Sequence, residues 1–134
     1  RGLGDVYKRQ IVYTSFWKTL TPFELVPGFE RVTRVSIKPE NVLAFLQSTQ
    51  VLEAAMKAAG EDFQLAVFAP IGGGPEGNTF MVRGFAADGK TMGAIFDKGY
   101  AGASWSQAFA SMQSLVDSFE RDSIEQCETL YTAE

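Results

Sequence analysis

The order of apolar periodicities along the chain constrains its fold more than any other feature. Between residues 42 and 59, apolar side chains recur at steps of three and four, which gathers them on one face of a helix. A second stripe with the same spacing runs from Trp105 to Phe119. Short segments with strand-like patterns surround both stripes. This mixed order predicts an α+β domain, in which helices pack against an antiparallel sheet.

Four segments have the composition and pattern of β-strands. In residues 30–38, Thr33 and Val35 share one face of a strand while Arg34 lies on the other, because strand side chains alternate with a period of two. Residues 79–86 alternate in the same way. The two remaining predicted strands cover residues 64–71 and 123–131.

Local signals mark the ends of the two predicted helices. The first begins at Pro39 and ends at Gly60, since proline suits a first helical turn and glycine adopts the left-handed conformation that stops a helix. Ser104 and Gln107 match a capping box and predict the start of the second helix. Residues 90–103 are then predicted to be a linking stretch.

The succession strand, helix, strand, strand, helix, strand is that of the ferredoxin-like β-α-β-β-α-β fold, with two helices on one face of a four-stranded antiparallel sheet. The second and third strands carry apolar residues on both faces, and a single chain would leave one of those faces in water. We therefore expect a homodimer that packs sheet against sheet.

Three regions are expected along the chain. Residues 1–10 resemble translated adaptor sequence that recurs at the ends of predicted proteins from environmental DNA, and we expect them to be a non-native leader. Residues 11–29 hold prolines and aromatics without a regular period, which predicts an irregular N-terminal arm. Residues 30–134 are expected to form the ferredoxin-like domain.

Charge and hydropathy exclude two classes of partner. The net charge is −4 and the twelve lysines and arginines are scattered, so the basic surface that neutralises a nucleic-acid backbone is missing. No apolar run approaches the ~20 residues of a membrane helix. We expect a soluble protein of the cytoplasm or periplasm, with the compartment left open.

Two residue counts limit the chemistry. The chain has no histidine, which removes histidine-based acid/base catalysis, Ser-His-Asp triads and most transition-metal sites. A single cysteine, Cys127, excludes an intrachain disulfide and a cysteine-based metal cluster. The glycine-rich residues 72–78 lack the lysine of a phosphate loop and join two strands. We expect no metal and no cofactor.

The element order, the two helix stripes and Trp105 resemble the dimeric α/β-barrel group, which includes antibiotic-biosynthesis monooxygenases, stress-responsive A/B-barrel proteins and NIPSNAP-like proteins. The resemblance covers residues 30–131. It implies a pocket between sheet and helices, where cofactor-free monooxygenases of the group use Asn, Trp and His groups on polycyclic aromatic substrates. The lack of histidine departs from that pattern and disfavours haem degradation, which needs an axial histidine.

Five residues are candidates for a site. Arg83 lies in an apolar strand, where a buried guanidinium needs a carboxylate partner or an anionic ligand, and Arg34 could share that ligand. Asp97 and Tyr100 are expected in a loop before the second helix, and Trp105 begins that helix's apolar stripe. Ligand-binding candidates are Arg34, Arg83, Tyr100 and Trp105, and catalytic candidates are Arg83, Asp97, Tyr100 and Trp105. Each candidate also has an alternative role. Arg83 could form an ion pair with a neighbouring carboxylate. Asp97 and Tyr100 could lie in a solvated turn, and Trp105 could pack in the core.

Three functions are compatible with these residues. The first is a dimer that binds a small hydrophobic or aromatic molecule in an apolar, aromatic pocket. The second is a cofactor-independent oxygenase or isomerase acting on such a molecule. The third is a structural or regulatory interaction domain, with residues 11–29 facing the partner.

Overall fold

The computed structural model describes residues 11, 13–24, 26–72, 74–75, 77 and 79–130. Within them the chain forms a five-stranded antiparallel sheet and three helices. A short 3-10 turn, Pro39–Asn41, leads into the first helix. The strands are β1 (Phe16–Thr19), β2 (Gly28–Ser36), β3 (Gln64–Gly72), β4 (Phe80–Ala86) and β5 (Ser118–Cys127), and the helices are α1 (Val42–Ala58), α2 (Gly89–Tyr100) and α3 (Ser106–Gln113).

The strands lie in the order β1-β3-β4-β2-β5, and every neighbouring pair is antiparallel. The prediction of four strands is therefore wrong by one strand. Residues 16–19, expected to belong to an irregular arm, pair with β3, with Thr19 opposite Phe68. A strand at this edge satisfies backbone N–H and C=O groups of β3 that would otherwise lack a sheet partner.

The region before the second predicted helix is helical, so the prediction of a linking stretch there is wrong. Asp88 caps α2, because its Oδ1 accepts a hydrogen bond from the backbone N–H of Thr91 at 2.7 Å. Met92 and Ile95 then bury one face of this helix. The predicted capping box is also wrong, since Trp105 is the N-cap residue of α3 and makes no side-chain capping bond.

The last strand begins earlier than its sequence pattern indicates. β5 starts at Ser118, so Phe119 belongs to a strand and not to the second helix stripe. The strand β5 pairs with β2 along its length. The register shifts between Arg34 and Val35 of β2, and β5 has one extra residue there, Glu120, which forms a β-bulge. This bulge determines which side chains of β5 face the helices.

The alternation predicted for the central strands is confirmed on both faces of the sheet. The helices cover the face that carries Val35, Leu65 and Val82, and this face holds the larger core. The opposite face has its own buried cluster of Val32, Ala66, Phe68, Met81 and Phe85, against which Trp17 and Phe23 pack. The segment before β2 thus covers part of the face that we expected a second chain to cover.

Some expectations fall outside the described residues. These are the leader at residues 1–10, part of the glycine-rich loop at residues 73, 76 and 78, and Tyr131 at the end of the last predicted strand. Among the helices of the described part, none has the length and apolar character needed to cross a membrane.

Candidate functional site

A cavity of about 260 Å³ lies between the helix-covered face of the sheet and the three helices. Its walls are mostly aliphatic and aromatic, with few polar groups. They come from β2, β3, β4 and β5 on one side and from all three helices on the other. The cavity-lining side chains on the helices and on the segments next to α3 include Phe45, Leu52, Met56, Ile95, Phe96, Trp105, Phe109, Met112 and Val116.

Two glycines in the wall allow aromatic rings to approach the backbone. A Cβ atom at Gly84 would lie 2.5 Å from Cζ of Phe63, and one at Gly99 would lie 2.7 Å from Cη2 of Trp105. Any larger residue at either position would therefore displace a ring that borders the cavity. The lack of a side chain at these two glycines leaves the space that the two rings occupy.

Five uncharged polar side chains line the cavity; Tyr100 and Gln113 are exposed, whereas Thr33, Ser106 and Trp105 are buried or partly buried. The Thr33 hydroxyl donates to the Val82 carbonyl at 3.4 Å, and the Ser106 hydroxyl donates to the Gly99 carbonyl at 2.8 Å. Trp105 is buried, and its indole Nε1 has no hydrogen-bond partner among the residues that the structure describes. One residue of the cavity wall, Trp105, therefore has a buried N–H donor without an acceptor in the described part of the chain.

An ion pair lies at the edge of the cavity. Arg31 donates from Nε to Oδ1 of Asp122 at 2.9 Å and from Nη2 to Oδ2 at 2.7 Å, a two-bond geometry that suits guanidinium and carboxylate. These hydrogen bonds raise the pKa of Arg31 and lower the pKa of Asp122. The guanidinium lies 5.4 Å from the centre of the Phe96 ring, and exposed Tyr100 lines the same edge.

A second polar cluster lies on the opposite face of the sheet. Glu30 is fully buried, and Arg83 donates to both of its carboxylate oxygens, with the Nε contact at 2.6 Å. The Arg83 guanidinium also lies 5.4 Å and 5.1 Å from the ring centres of Phe68 and Phe85. The Cys127 thiol donates to Glu30 Oε1. This cluster neutralises a buried carboxylate.

The same cluster contains three groups of the kind that bind metal ions. Glu30, Glu125 and Cys127 each offer a ligand atom, and these atoms lie within 4.8 Å of one another. However, Arg83 donates to both oxygens of Glu30, and burial, followed by the Glu30 hydrogen bond, raises the pKa of Cys127 to about 11. A protonated thiol and a nearby guanidinium do not fit a cation. The group is an ion pair with a neutral thiol beside it.

We expect Cys127 to react slowly with alkylating reagents. Because only the thiolate attacks, a pKa of about 11 should make alkylation by iodoacetamide at pH 8 slower than that of free cysteine by on the order of a hundredfold. The rate should rise about tenfold per pH unit between pH 8 and 9.5. Mass spectrometry of timed, quenched samples measures both. A rate near that of free cysteine would contradict the neutral thiol.

The structure brings together only two of the five predicted site residues. Tyr100 and Trp105 line the cavity. Arg83 lies on the opposite face with Glu30, and Arg34 lies over the Trp17 ring at 4.3 Å on that face. Asp97 is exposed on α2 and does not line the cavity.

The predicted loop around Asp97 and Tyr100 is the last turn of α2, so its description as a loop is wrong. Sequence reasoning also missed Arg31 and Asp122. The alternation of β2 puts Arg31 on the same face as Thr33, and this pattern could have predicted that Arg31 lies on the side of the sheet that meets the helices. Nothing in the sequence marked Asp122 as its partner.

Two solved structures are similar to this one. The first, from Chloroflexus aurantiacus J-10-fl, has a TM-score of 0.49 and 9% sequence identity over 78% of this chain and 96% of that chain. The second, from Caulobacter crescentus CB15, has a TM-score of 0.45 and 20% identity over 77% of this chain and 90% of that chain. Both are assigned by name to antibiotic biosynthesis monooxygenases, one of the groups that the sequence resembles. No protein-family model and no curated protein sequence matches the chain.

Proposed function

We propose that this protein binds a small aromatic or hydrophobic molecule in the cavity between the sheet and the helices. The observation that carries this proposal is the buried indole N–H of Trp105, which has no acceptor within the described part of the chain and belongs to a residue that lines an apolar cavity. A buried donor without an acceptor costs about 1–3 kcal/mol. An oxygen atom on a bound molecule would remove that cost.

The size of the cavity limits the ligand. An apolar cavity of about 150 Å³ holds benzene, and pockets for drug-sized ligands begin near 300 Å³. At about 260 Å³, this cavity suits one ring or two fused rings. The aromatic walls, which include Phe45, Phe96 and Phe109, favour flat ring systems that can pack against them.

The protein is proposed to act as a homodimer that packs through the sheet face opposite the helices. Trp17 and Phe23 cover the β3 and β4 part of that face, whereas Arg121 and Glu125 of β5 remain exposed. Native mass spectrometry measures the subunit number and any bound small molecule together. A monomer at micromolar concentration would contradict the dimer but not the binding site.

Replacing Trp105 with phenylalanine tests the site directly. The ring is largely kept and the N–H is lost, so the affinity for 2-acetylnaphthalene should fall about fivefold, the value of one net hydrogen bond of about 1 kcal/mol. The affinity for naphthalene, which has no oxygen, should stay unchanged. Isothermal titration calorimetry measures both.

The matched control is Trp17→Phe, which makes the same change on the opposite face of the sheet and should alter neither affinity. If Trp105→Phe weakens both probes equally, the indole contributes packing and not a hydrogen bond to the ligand. If wild-type protein binds neither probe, the proposed function is wrong.

A cofactor-independent oxygenase or isomerase is the second candidate function. It is favoured by one observation, that Tyr100 and Trp105, both predicted as catalytic residues, border the same cavity. Oxygen consumption with each aromatic molecule that binds would test it. Saturable binding without oxygen uptake or product across a panel of such molecules would leave the binding function alone.

A further inference from the structure

The charge at the edge of the cavity is already balanced. Among the side chains that line the cavity, Arg31 is the only charged one in the described part of the chain, and Asp122 accepts hydrogen bonds from its Nε and Nη2. The hydrogen bonds favour the charged form of both partners, since the pKa of Arg31 is raised and that of Asp122 is lowered. The pair therefore presents no net charge to a ligand at neutral pH.

The pair still leaves a hydrogen-bond donor. Nη1 of Arg31 makes no hydrogen bond to any described residue, and the guanidinium lies against the Phe96 ring at the cavity edge. Trp105, whose buried indole N–H also lacks an acceptor among the described residues, lines the same cavity, and the uncharged polar side chains of Tyr100 and Gln113 lie in its exposed wall. A ligand that carries an acceptor oxygen can accept from one of these donors without bringing a charge.

A carboxylate is a poor match for this arrangement. Its attraction to Arg31 would be offset by repulsion from the Asp122 carboxylate, since like charges at short range oppose each other. It would also lose strongly bound water on entering an apolar cavity, a cost that only an unbalanced cation would repay. A ketone or quinone oxygen loses far less hydration and accepts from the same donors.

We propose that the cavity is selective for uncharged aromatic carbonyl compounds, and that Asp122 determines this selectivity by cancelling the charge of Arg31. This inference rests on the proposed function and specifies the class of ligand. Arg31 is then a donor to the ligand, and Asp122 is a positioning residue that also excludes aromatic acids.

Three probes with one ring system test the proposal: naphthalene, 2-acetylnaphthalene and 2-naphthoate, titrated into full-chain protein at pH 7 by calorimetry. In wild-type protein, 2-acetylnaphthalene should bind at least tenfold more tightly than 2-naphthoate. In Asp122→Asn, the freed charge of Arg31 should raise the affinity for 2-naphthoate at least tenfold. The affinity for 2-acetylnaphthalene should change less than threefold.

The matched control is Asp117→Asn. Asp117 is another exposed acid, it lies 3.8 Å from Lys38 and it does not line the cavity. Asp117→Asn makes the same change in net charge and should leave all three affinities as they are. Circular dichroism verifies that both variants are folded.

The outcomes separate the two proposals. If no probe binds wild-type protein, the proposed function fails and this inference fails with it. If the probes bind, two results refute the selectivity while the binding function stands. One is an equal affinity for 2-naphthoate and 2-acetylnaphthalene in wild-type protein, and the other is a ratio of these affinities that Asp122→Asn leaves unchanged. If Asp117→Asn raises the affinity for 2-naphthoate as much as Asp122→Asn does, the cause is overall charge and the assignment to Asp122 is refuted.

Discussion

Replacing Arg83 with methionine is expected to lower the free energy of unfolding by about 3 kcal/mol. Glu30 is fully buried, and Arg83 is the cation that donates to its carboxylate, so the substitution leaves a buried charge without a counterion. We expect the low end of the range for broken buried pairs because the Arg83 side chain is 22% exposed. Urea unfolding followed by circular dichroism at pH 7 measures the loss.

Arg31→Met is the matched control, since it also removes an arginine that forms two hydrogen bonds with a carboxylate. The side chains of Arg31 and Asp122 are 32% and 48% exposed, and water screens such a pair, so the loss should stay below about 1 kcal/mol. The double variant Glu30→Met, Arg83→Met should recover most of the loss of Arg83→Met. Equal losses for Arg83→Met and Arg31→Met would mean that the buried charge of Glu30 is not the cause.

Replacing Leu52 with alanine should have an effect of similar size for a different reason. Leu52 is 1% exposed, lies on the buried face of α1 and lines the cavity. Removing its side chain should lower the free energy of unfolding by about 3 kcal/mol, because transfer energy is lost and the space is not refilled. Leu43→Ala is the same change on the same helix at a site that is 75% exposed, and it should cost less than about 0.5 kcal/mol.

The Leu52 variant also tests the cavity. Its cavity should be larger, so a three-ring ketone that is too large for the wild-type cavity should bind to the variant. Such a ligand at a hundred times its Kd raises the free energy of unfolding by about 2.7 kcal/mol, which would restore nearly all of the loss. If Leu52→Ala and Leu43→Ala lower stability equally, or if the larger ketone stabilises wild-type protein as much as the variant, the position of the cavity is wrong.

Much of the fold could be predicted because its signals are local. The alternation of Thr33, Arg34 and Val35 predicts which face of β2 meets the helices, and the apolar stripe of α1 needs only its own residues. The helix α2 was missed because Gly93 and Gly99 interrupt its pattern, and glycine lowers helix propensity. β1 was missed because its pairing partner, β3, lies far along the chain, and nothing local requires a strand there.

The site was harder to predict than the fold. Trp105 and Tyr100 could be found from residue type and position alone. Arg31 and Asp122 are separated by 91 positions in sequence, and only the register between β2 and β5 brings them together. The predicted ion-pair alternative for Arg83 had the same difficulty, since its partner Glu30 is 53 positions away and on a different strand.

The extra residue in β5 has a consequence for how this cavity could change over evolution. Phe119 and Asp122 differ by an odd number of positions, so in a regular strand they would point to opposite sides. The insertion of Glu120 lets Phe119 line the cavity wall while Asp122 holds Arg31 at its edge. The presence of one extra residue in β5, and not the side chain of Glu120, therefore allows Phe119 and Asp122 to face the cavity side of the sheet together. A lineage that lost one residue here would invert the facing of one end of β5 and so lose either Phe119 from the wall or Asp122 from the edge, without any residue being substituted.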